Sequence, residues 1–404
     1  MKIIRRICNV FFLISVSIGA QQDRAHQDGG YRDGARPNQG KTVPLFELYP
    51  ALQQKIPYVS FSVMPSPVEK MQKIGEMCGA EVYIKRDDKL GGIGTDGMPL
   101  YGGNKVRKLE FLLGDAQSLG AKRVITFGCV GSHHAVATTV YANLLGMDTT
   151  CMLLPQPVSP GVQKNLLMHL YYKSTLYLCE TDEQRTQKAF AVWLELYKQD
   201  KQPPYVIPTG GSNILGTIGF VNAIFELRQQ IKQGLIPEPS HIYAACGSGA
   251  TIAGIMLGVK AAGLRCQVIA VAVEPDQNRS LEKKIALLFH QTNTYLRGMD
   301  SAFPECSYTA EDLKINTQFT GTEYGSPTAE SIEAQEIMRT YENIELDSTY
   351  TAKAFAGLLN DIIKEPRQVV LFWNTYSSTD VSLQIKDQDY HQLPECFHHY
   401  FSKK

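Results

Sequence analysis

Metal-ligand spacing, a nucleotide fingerprint and net charge are all missing from this 404-residue chain. Its nine cysteines form no CxxC pair and no Cys/His ligand pattern, which excludes a zinc site as the organising feature. No GxGxxG follows the first strand-like run, which counts against a dinucleotide enzyme. Lysine plus arginine and aspartate plus glutamate both total 40, so no global field recruits nucleic acid or an anionic membrane face. Small, roughly neutral molecules are the partners such a surface leaves.

No apolar run is long enough to span a bilayer comfortably. The longest, Ile7 to Ile18, follows Lys2, Arg5 and Arg6 and ends in Ser17-Ile18-Gly19-Ala20. That three-part pattern predicts a secretory signal peptide over residues 1–20, cleaved near Gly19 or Ala20, and a secreted or periplasmic mature chain with no membrane contact. Residues 21–42, rich in Gly, Asp, Gln and Arg, read as a disordered linker. Export would permit disulfides, but the scattered cysteines name no pair.

Beyond Thr42 the chain has 44% hydrophobic residues overall to draw on, enough for a large core. Short apolar runs at Glu81–Arg86, Arg123–Phe127, Thr149–Leu154, Thr175–Leu178, His241–Ala245, Gln267–Val273 and Val369–Trp373 predict buried strands. Helical spacing occupies Asn104–Leu119, His133–Leu145, Thr217–Gln233, Gly249–Ala262 and Thr328–Tyr341. This alternation predicts an α/β fold with parallel-rich sheets flanked by helices. Ligands bind such folds beyond the carboxyl ends of strands, where loops enter helices.

Four of those loops carry chemistry. Gly102-Gly103-Asn104-Lys105-Val106-Arg107-Lys108 places a lysine in the first turn of a helix. The positive helix end and the nearby cations Arg107 and Lys108 disfavour an ammonium there, and a lysine with a depressed pKa is a Schiff-base nucleophile. Cys246-Gly247-Ser248-Gly249-Ala250-Thr251 follows a strand and opens a helix, so its N–H groups and hydroxyls can wrap a phosphate. It lacks the lysine of a Walker loop, and a small phosphorylated cofactor fits it better than ATP or NAD. Phe127-Gly128-Cys129-Val130-Gly131-Ser132-His133-His134 leaves a strand and opens another helix, where Ser132 is either an N-cap or a ligand contact. Pro208-Thr209-Gly210-Gly211-Ser212-Asn213 is a further glycine-dense helix start. A Schiff-base lysine and a phosphate cradle together point to pyridoxal phosphate, which needs both.

With Ile84-Lys85-Arg86-Asp87-Asp88, Tyr324-Gly325-Ser326-Pro327 and Leu346-Asp347-Ser348-Thr349-Tyr350-Thr351-Ala352-Lys353, these motifs run from about Leu45 to Ser378. Along that length the chain resembles the 1-aminocyclopropane-1-carboxylate deaminase and D-cysteine desulfhydrase family, fold-type-II pyridoxal-phosphate enzymes like the tryptophan synthase β chain. The resemblance implies a two-domain homodimer, with a large cofactor-binding domain from 43–107 and 207–404 and a small domain from 108–206. It implies Lys105 as the Schiff-base lysine beside Asn104, Lys108 as the phosphate cation, and Gly249, Ala250 and Thr251 as the phosphate loop. It implies Ser132, Tyr324 and Tyr350 as substrate-side catalytic groups, with His133, Thr351 and Thr375 against the cofactor.

The implied reaction is elimination from a small amino acid, D-cysteine giving pyruvate, sulfide and ammonia, with a cyclopropane deaminase or a catalytically altered homologue as the alternative. Deaminases of the family resemble Tyr-Glu where this chain has Tyr350-Thr351, and desulfhydrases Tyr-Thr. A carboxylate near the pyridine nitrogen would keep it protonated and deepen the electron sink, whereas a neutral hydroxyl suits a good leaving group such as thiolate. Two departures concern the substrate: His133 stands where the family has asparagine, and Tyr376-Ser377 follow Thr375 where it has two glycines. These leave open a descendant that holds the cofactor without turnover.

Overall fold

The computed structural model describes residues 43–275, 280–366 and 368–402. The expected signal peptide and linker lie outside them.

Two sheets form the frame. The larger takes strands in the order β1-β2-β10-β7-β8-β9, where β1 is Val68–Lys70, β2 Glu81–Arg86, β7 His241–Cys246, β8 Gln267–Ala272, β9 Leu313–Asn316 and β10 Val369–Asn374. All its pairings are parallel except β1 against β2. The smaller runs β5-β4-β3-β6, with β3 Arg123–Cys129, β4 Asp148–Leu154, β5 Thr175–Leu178 and β6 Tyr205–Ile207, all parallel. Every strand expected from the sequence is present; β1, β6 and β9, of three or four residues each, are added.

The larger sheet is apolar on both faces because its strands alternate between two cores. In β7, Ile242, Ala244 and Cys246 join one cluster while Tyr243 and Ala245 join the other, and β10 divides Leu371 and Trp373 from Val370 and Phe372 in the same way. The first face meets α4 (Lys105–Ser118), α8 (Ile214–Lys232), α9 (Ala250–Ala262) and α10 (Ser280–Met299). On the second lie α3 (Gln72–Cys78), α11 (Ala329–Glu342) and α12 (Thr351–Lys364). In the smaller sheet, Cys151 and Leu153 of β4 pack toward α6 (Pro160–Tyr171), and Met152 packs toward α7 (Asp182–Asp200). The remaining helices are α1 (Pro44–Leu48) and α2 (Pro50–Lys55) near the described start, α5 (His133–Leu144) beside β3, and the short α13 (Ser382–Ile385).

Three stretches join the units. The chain leaves the larger sheet after Arg86 and enters the smaller at Arg123; it returns between Ile207 and His241; it leaves again after Asn374. This last stretch ends on the smaller unit, where Leu393, Phe397 and Tyr400 share a core with Val130, Cys151 and Leu176.

Among the described residues no helix is long and apolar enough to cross a membrane, and no His/Cys/Asp/Glu group could hold a metal ion. Among the described residues no two cysteines are joined in a disulfide.

Candidate active site

A cavity of about 1360 Å³ opens at the carboxyl ends of strands from both sheets, bordered by Cys129, Leu154 and Cys246. Lys105 projects into it as the first residue of α4. The turn into that helix needs glycine at Gly103: its φ is +90°, and a Cβ there would stand 2.7 Å from the carbonyl oxygen of Tyr376.

Lys105 Nζ lies 5.7 Å from the centre of the Tyr350 ring. Burial lowers its pKa to about 8, against the opposing pull of Asp347 and Cys246. The sequence assigns this effect to the positive helix end and to Arg107 and Lys108, and the structure takes Arg107 out of that set. Arg107 turns into the core, where Asp87 and Glu226 neutralise it, and desolvation does the work at Lys105.

The residues around the cavity fit a small ligand bearing a phosphate. Lys108 is buried, donates to Gly210 O at 3.0 Å, and has no carboxylate within ion-pair distance among the described residues. Desolvation and the Lys105 ammonium push its pKa well down, so an anion beside it would be stabilised. The long helices α5, α6, α7 and α8 are capped by Ser132, Ser159, Thr181 and Asn213. By contrast α4 and α9, which open on the cavity, have no side-chain cap, and Gly249 at the start of α9 has φ +95°. Free N–H groups at helix starts suit an anion. Asn104 Nδ2 reaches Thr251 Oγ1 at 3.4 Å, tying the starts of α4 and α9 together. His134 is buried beside Gly211, with both ring nitrogens lacking a partner among the described residues.

The substrate-side residues converge as well. Tyr324 and Tyr350 share a hydrogen bond of 2.6 Å between hydroxyls, and burial raises both pKa values, so both phenols are neutral near pH 7. Ser132 caps α5 by accepting from Ala135 N at 3.2 Å and also lines the cavity. His133 lines it too, with Tyr101 against Nδ1 and the edge of Tyr376 at 5.5 Å. Lys164 donates to the Tyr376 hydroxyl at 3.3 Å.

Two expected residues stand back. Thr351 is fully buried and turns its hydroxyl onto Asp347 Oδ1 at 2.7 Å, behind the cavity wall. Ala250 offers backbone only, as the first residue of α9. Thr375 borders the cavity, and its carbonyl accepts from Asn104 N at 3.3 Å.

Sequence reasoning gives no role to Asp347, the carboxylate facing Lys105 and His133. Its oxygens accept from the N–H groups of Thr349, Tyr350 and Thr351 at 3.1, 2.8 and 3.0 Å, capping α12. An aspartate shortly before a helix start is the available signal. Tyr101 has none, because its partner is 32 residues away.

Comparison with known proteins agrees with this geometry. The family model described as pyridoxal-phosphate dependent enzyme matches residues 59–375. A putative 1-aminocyclopropane-1-carboxylate deaminase of Thermotoga maritima is 30% identical over 319 residues, covering 78% of this chain and 95% of that one. A D-cysteine desulfhydrase of Klebsiella pneumoniae is 31% identical over 321 residues, covering 77% and 90%. Among solved structures, a homologue of 1-aminocyclopropane-1-carboxylate deaminase superposes with a TM-score of 0.70 at 31% identity, covering 84% of this chain and 96% of that one.

Proposed function

This chain belongs to the pyridoxal-phosphate-dependent enzymes, and from that premise we propose that it is a lyase removing the β-substituent of a small amino acid, as a D-cysteine desulfhydrase does. The observation that carries this reading is the pairing of a half-buried lysine, its pKa brought to about 8, with a carboxylate-free buried lysine one helical turn on.

Lys105 would hold the cofactor covalently through its amine. Lys108, the start of α9 and Thr251 would hold the phosphate, and Thr375 would face the ring nitrogen. When bound, pyridoxal phosphate supplies an electron sink for the pair left behind when a proton leaves the α-carbon. The protein supplies the proton's destination. With a pKa of about 8, Lys105 is unprotonated in roughly a tenth of molecules at pH 7, enough to act as a base. The Ser132 hydroxyl accepts from the helix and keeps its own proton to donate to a substrate carboxylate. The Tyr324–Tyr350 pair shares one proton between its oxygens and can offer the other to a departing group. With D-cysteine, sulfide would leave, and addition of water would release ammonia and leave pyruvate.

A second reading, a deaminase of 1-aminocyclopropane-1-carboxylate, is favoured by relatives of that name. Reconstituted protein separates the two: sulfide and pyruvate from D-cysteine support the first, a four-carbon 2-oxo acid from the cyclopropane substrate the second. Absence of both products with a bound cofactor would leave the non-catalytic descendant. We further propose a homodimer, as the family resemblance implies. Export is proposed too, supported by the charged start and apolar run of residues 1–20; an N-terminus mapped near residue 21 on secreted protein tests it.

A further inference from the structure

One ring nitrogen of His133 is engaged and, among the described residues, the other makes no hydrogen bond. Nδ1 is in close contact with the hydroxyl of Tyr101. That hydroxyl also reaches Asn165 Oδ1, but at 3.4 Å. The orientation of Asn165 is fixed, because its Nδ2 donates to Gly131 O at 2.9 Å and leaves Oδ1 facing Tyr101. A phenol has a single proton to give. Of the two atoms that face it, His133 Nδ1 is much the nearer.

A neutral imidazole that accepts at Nδ1 must carry its proton on Nε2. Among the described residues the ring's hydrogen bond is made at Nδ1, and the ring lines the cavity. Rotation is restricted on three sides. Tyr101 lies across the ring at 6.1 Å, and Tyr376 and Tyr350 meet it edge-on at 5.5 and 6.4 Å. The ring is neutral near pH 7, since burial brings its pKa to about 4, with Lys164 and Lys105 assisting and Asp347 opposing.

We propose that Tyr101 locks His133 in the Nε2–H tautomer, so that His133 offers the cavity a neutral hydrogen-bond donor for an anionic oxygen. Tyr101 is then a positioning residue, acting through His133. The cofactor reading enters only in the source of that oxygen, which is the phenolate of pyridoxal phosphate or the carboxylate of an amino acid.

Proton-detected ¹⁵N spectra of the cofactor-free protein read the tautomer directly. The expected result is Nδ1 bare and Nε2 protonated in the wild type, with a mixture of both forms in Tyr101→Phe. Protonated Nδ1 in the wild type, or an unchanged ratio in the variant, overturns the proposal. Should Tyr101→Phe fail to fold, the wild-type spectrum decides alone.

The source of the oxygen follows from two titrations. If it is the phenolate, Tyr101→Phe weakens pyridoxal phosphate about tenfold but leaves the 3-deoxy analogue unchanged. If it is the carboxylate, both cofactors bind as before and D-alanine binds about tenfold more weakly to the loaded variant. His133→Gln, which keeps an N–H donor, should recover part of the loss. Indifference of all these ligands to Tyr101→Phe sinks the proposed role. Failure to bind pyridoxal phosphate at all sinks the functional reading instead, and the cofactor-free spectrum still judges the tautomer.

Discussion

Arg107 grips Asp87 with two parallel hydrogen bonds, Nε to Oδ2 at 2.8 Å and Nη2 to Oδ1 at 2.7 Å. The same guanidinium reaches both oxygens of Glu226, at 2.9 and 3.1 Å, while Lys85 pairs with Glu226 and Trp373 Nε1 donates to Asp87 at 2.7 Å. Strands β2 and β10 and helix α8 thus meet on the first turn of α4, two residues from Lys105. Two cations balance two anions, and the carboxylates have several donors each, the condition under which buried charges are tolerated.

Removing the guanidinium leaves two carboxylates sharing one lysine. Arg107→Met is expected to destabilise the cofactor-free protein by about 3–5 kcal/mol, the range for breaking a buried pair. Urea unfolding measures it. A loss below about 1 kcal/mol would mean that the charges here had adjusted, contrary to this account.

Lys105→Ala should abolish the visible band that forms with pyridoxal phosphate and the borohydride-trapped adduct. Turnover should drop at least about a thousandfold, as both attachment and a proton acceptor are lost. Peptide mass mapping finds the adduct; its survival in the variant would place the attachment elsewhere.

Lys108→Met separates stability from binding. Without a buried lysine that no carboxylate neutralises, the cofactor-free protein should be as stable or more so, while pyridoxal phosphate binds roughly ten- to a hundredfold more weakly. Pyridoxal, lacking the phosphate, should bind both forms alike. Equal loss for the two ligands would remove Lys108 from the phosphate site.

The pH dependence follows from signs. The Lys105 pKa is lowered, to about 8, so the rate of covalent cofactor attachment should rise about tenfold per pH unit below 8 and level off above it. An unperturbed lysine would keep rising toward about pH 10.4. The same shift means that the folded state binds fewer protons between these two values, so stability should increase with pH across that window. His133, held to about 4, should place no inflection near about pH 6.5, the ordinary histidine value, in the attachment profile.

Substituting Gly103 by alanine combines a φ of +90° with a Cβ 2.7 Å from Tyr376 O. A loss of about 1–3 kcal/mol is expected from the backbone alone. Cofactor attachment should suffer too, because the clash pushes the loop carrying Thr375 away from the turn that leads into Lys105. A neutral outcome in calorimetry would mean that the Tyr376 loop is free to move aside.

The frame is legible because its signals are local. Apolar runs such as Val369–Trp373 and glycine-rich helix starts such as Cys246–Thr251 announce themselves within a few residues, and ordered motifs lead to Lys105 and Lys108. Helices α6, α7, α10 and α12 are missed, although Leu281, Ile285, Leu288 and Phe289 in α10 and Ala352, Phe355, Ala356 and Leu358 in α12 recur at helical spacing. Arg107 misleads for a different reason. Nothing in Lys-Val-Arg-Lys tells which cations face solvent or cavity and which face the core, since that depends on Asp87 and Glu226, 20 and 119 residues distant. Tyr101 and Asn165 stay hidden for the same cause.

The stretch after Asn374 gives the molecule a third tether. A protein joined by two crossings can hinge about the line between them, but a third, anchored by Phe397 and Tyr400 on the far unit, turns a hinge into a tripod. Gln384 Nε2 bracing Pro99 O at 2.8 Å and Gln163 Nε2 bracing Tyr400 O at 2.8 Å fasten that leg at two heights. Any widening of the cavity mouth would therefore pull on this third leg as well as on the two crossings.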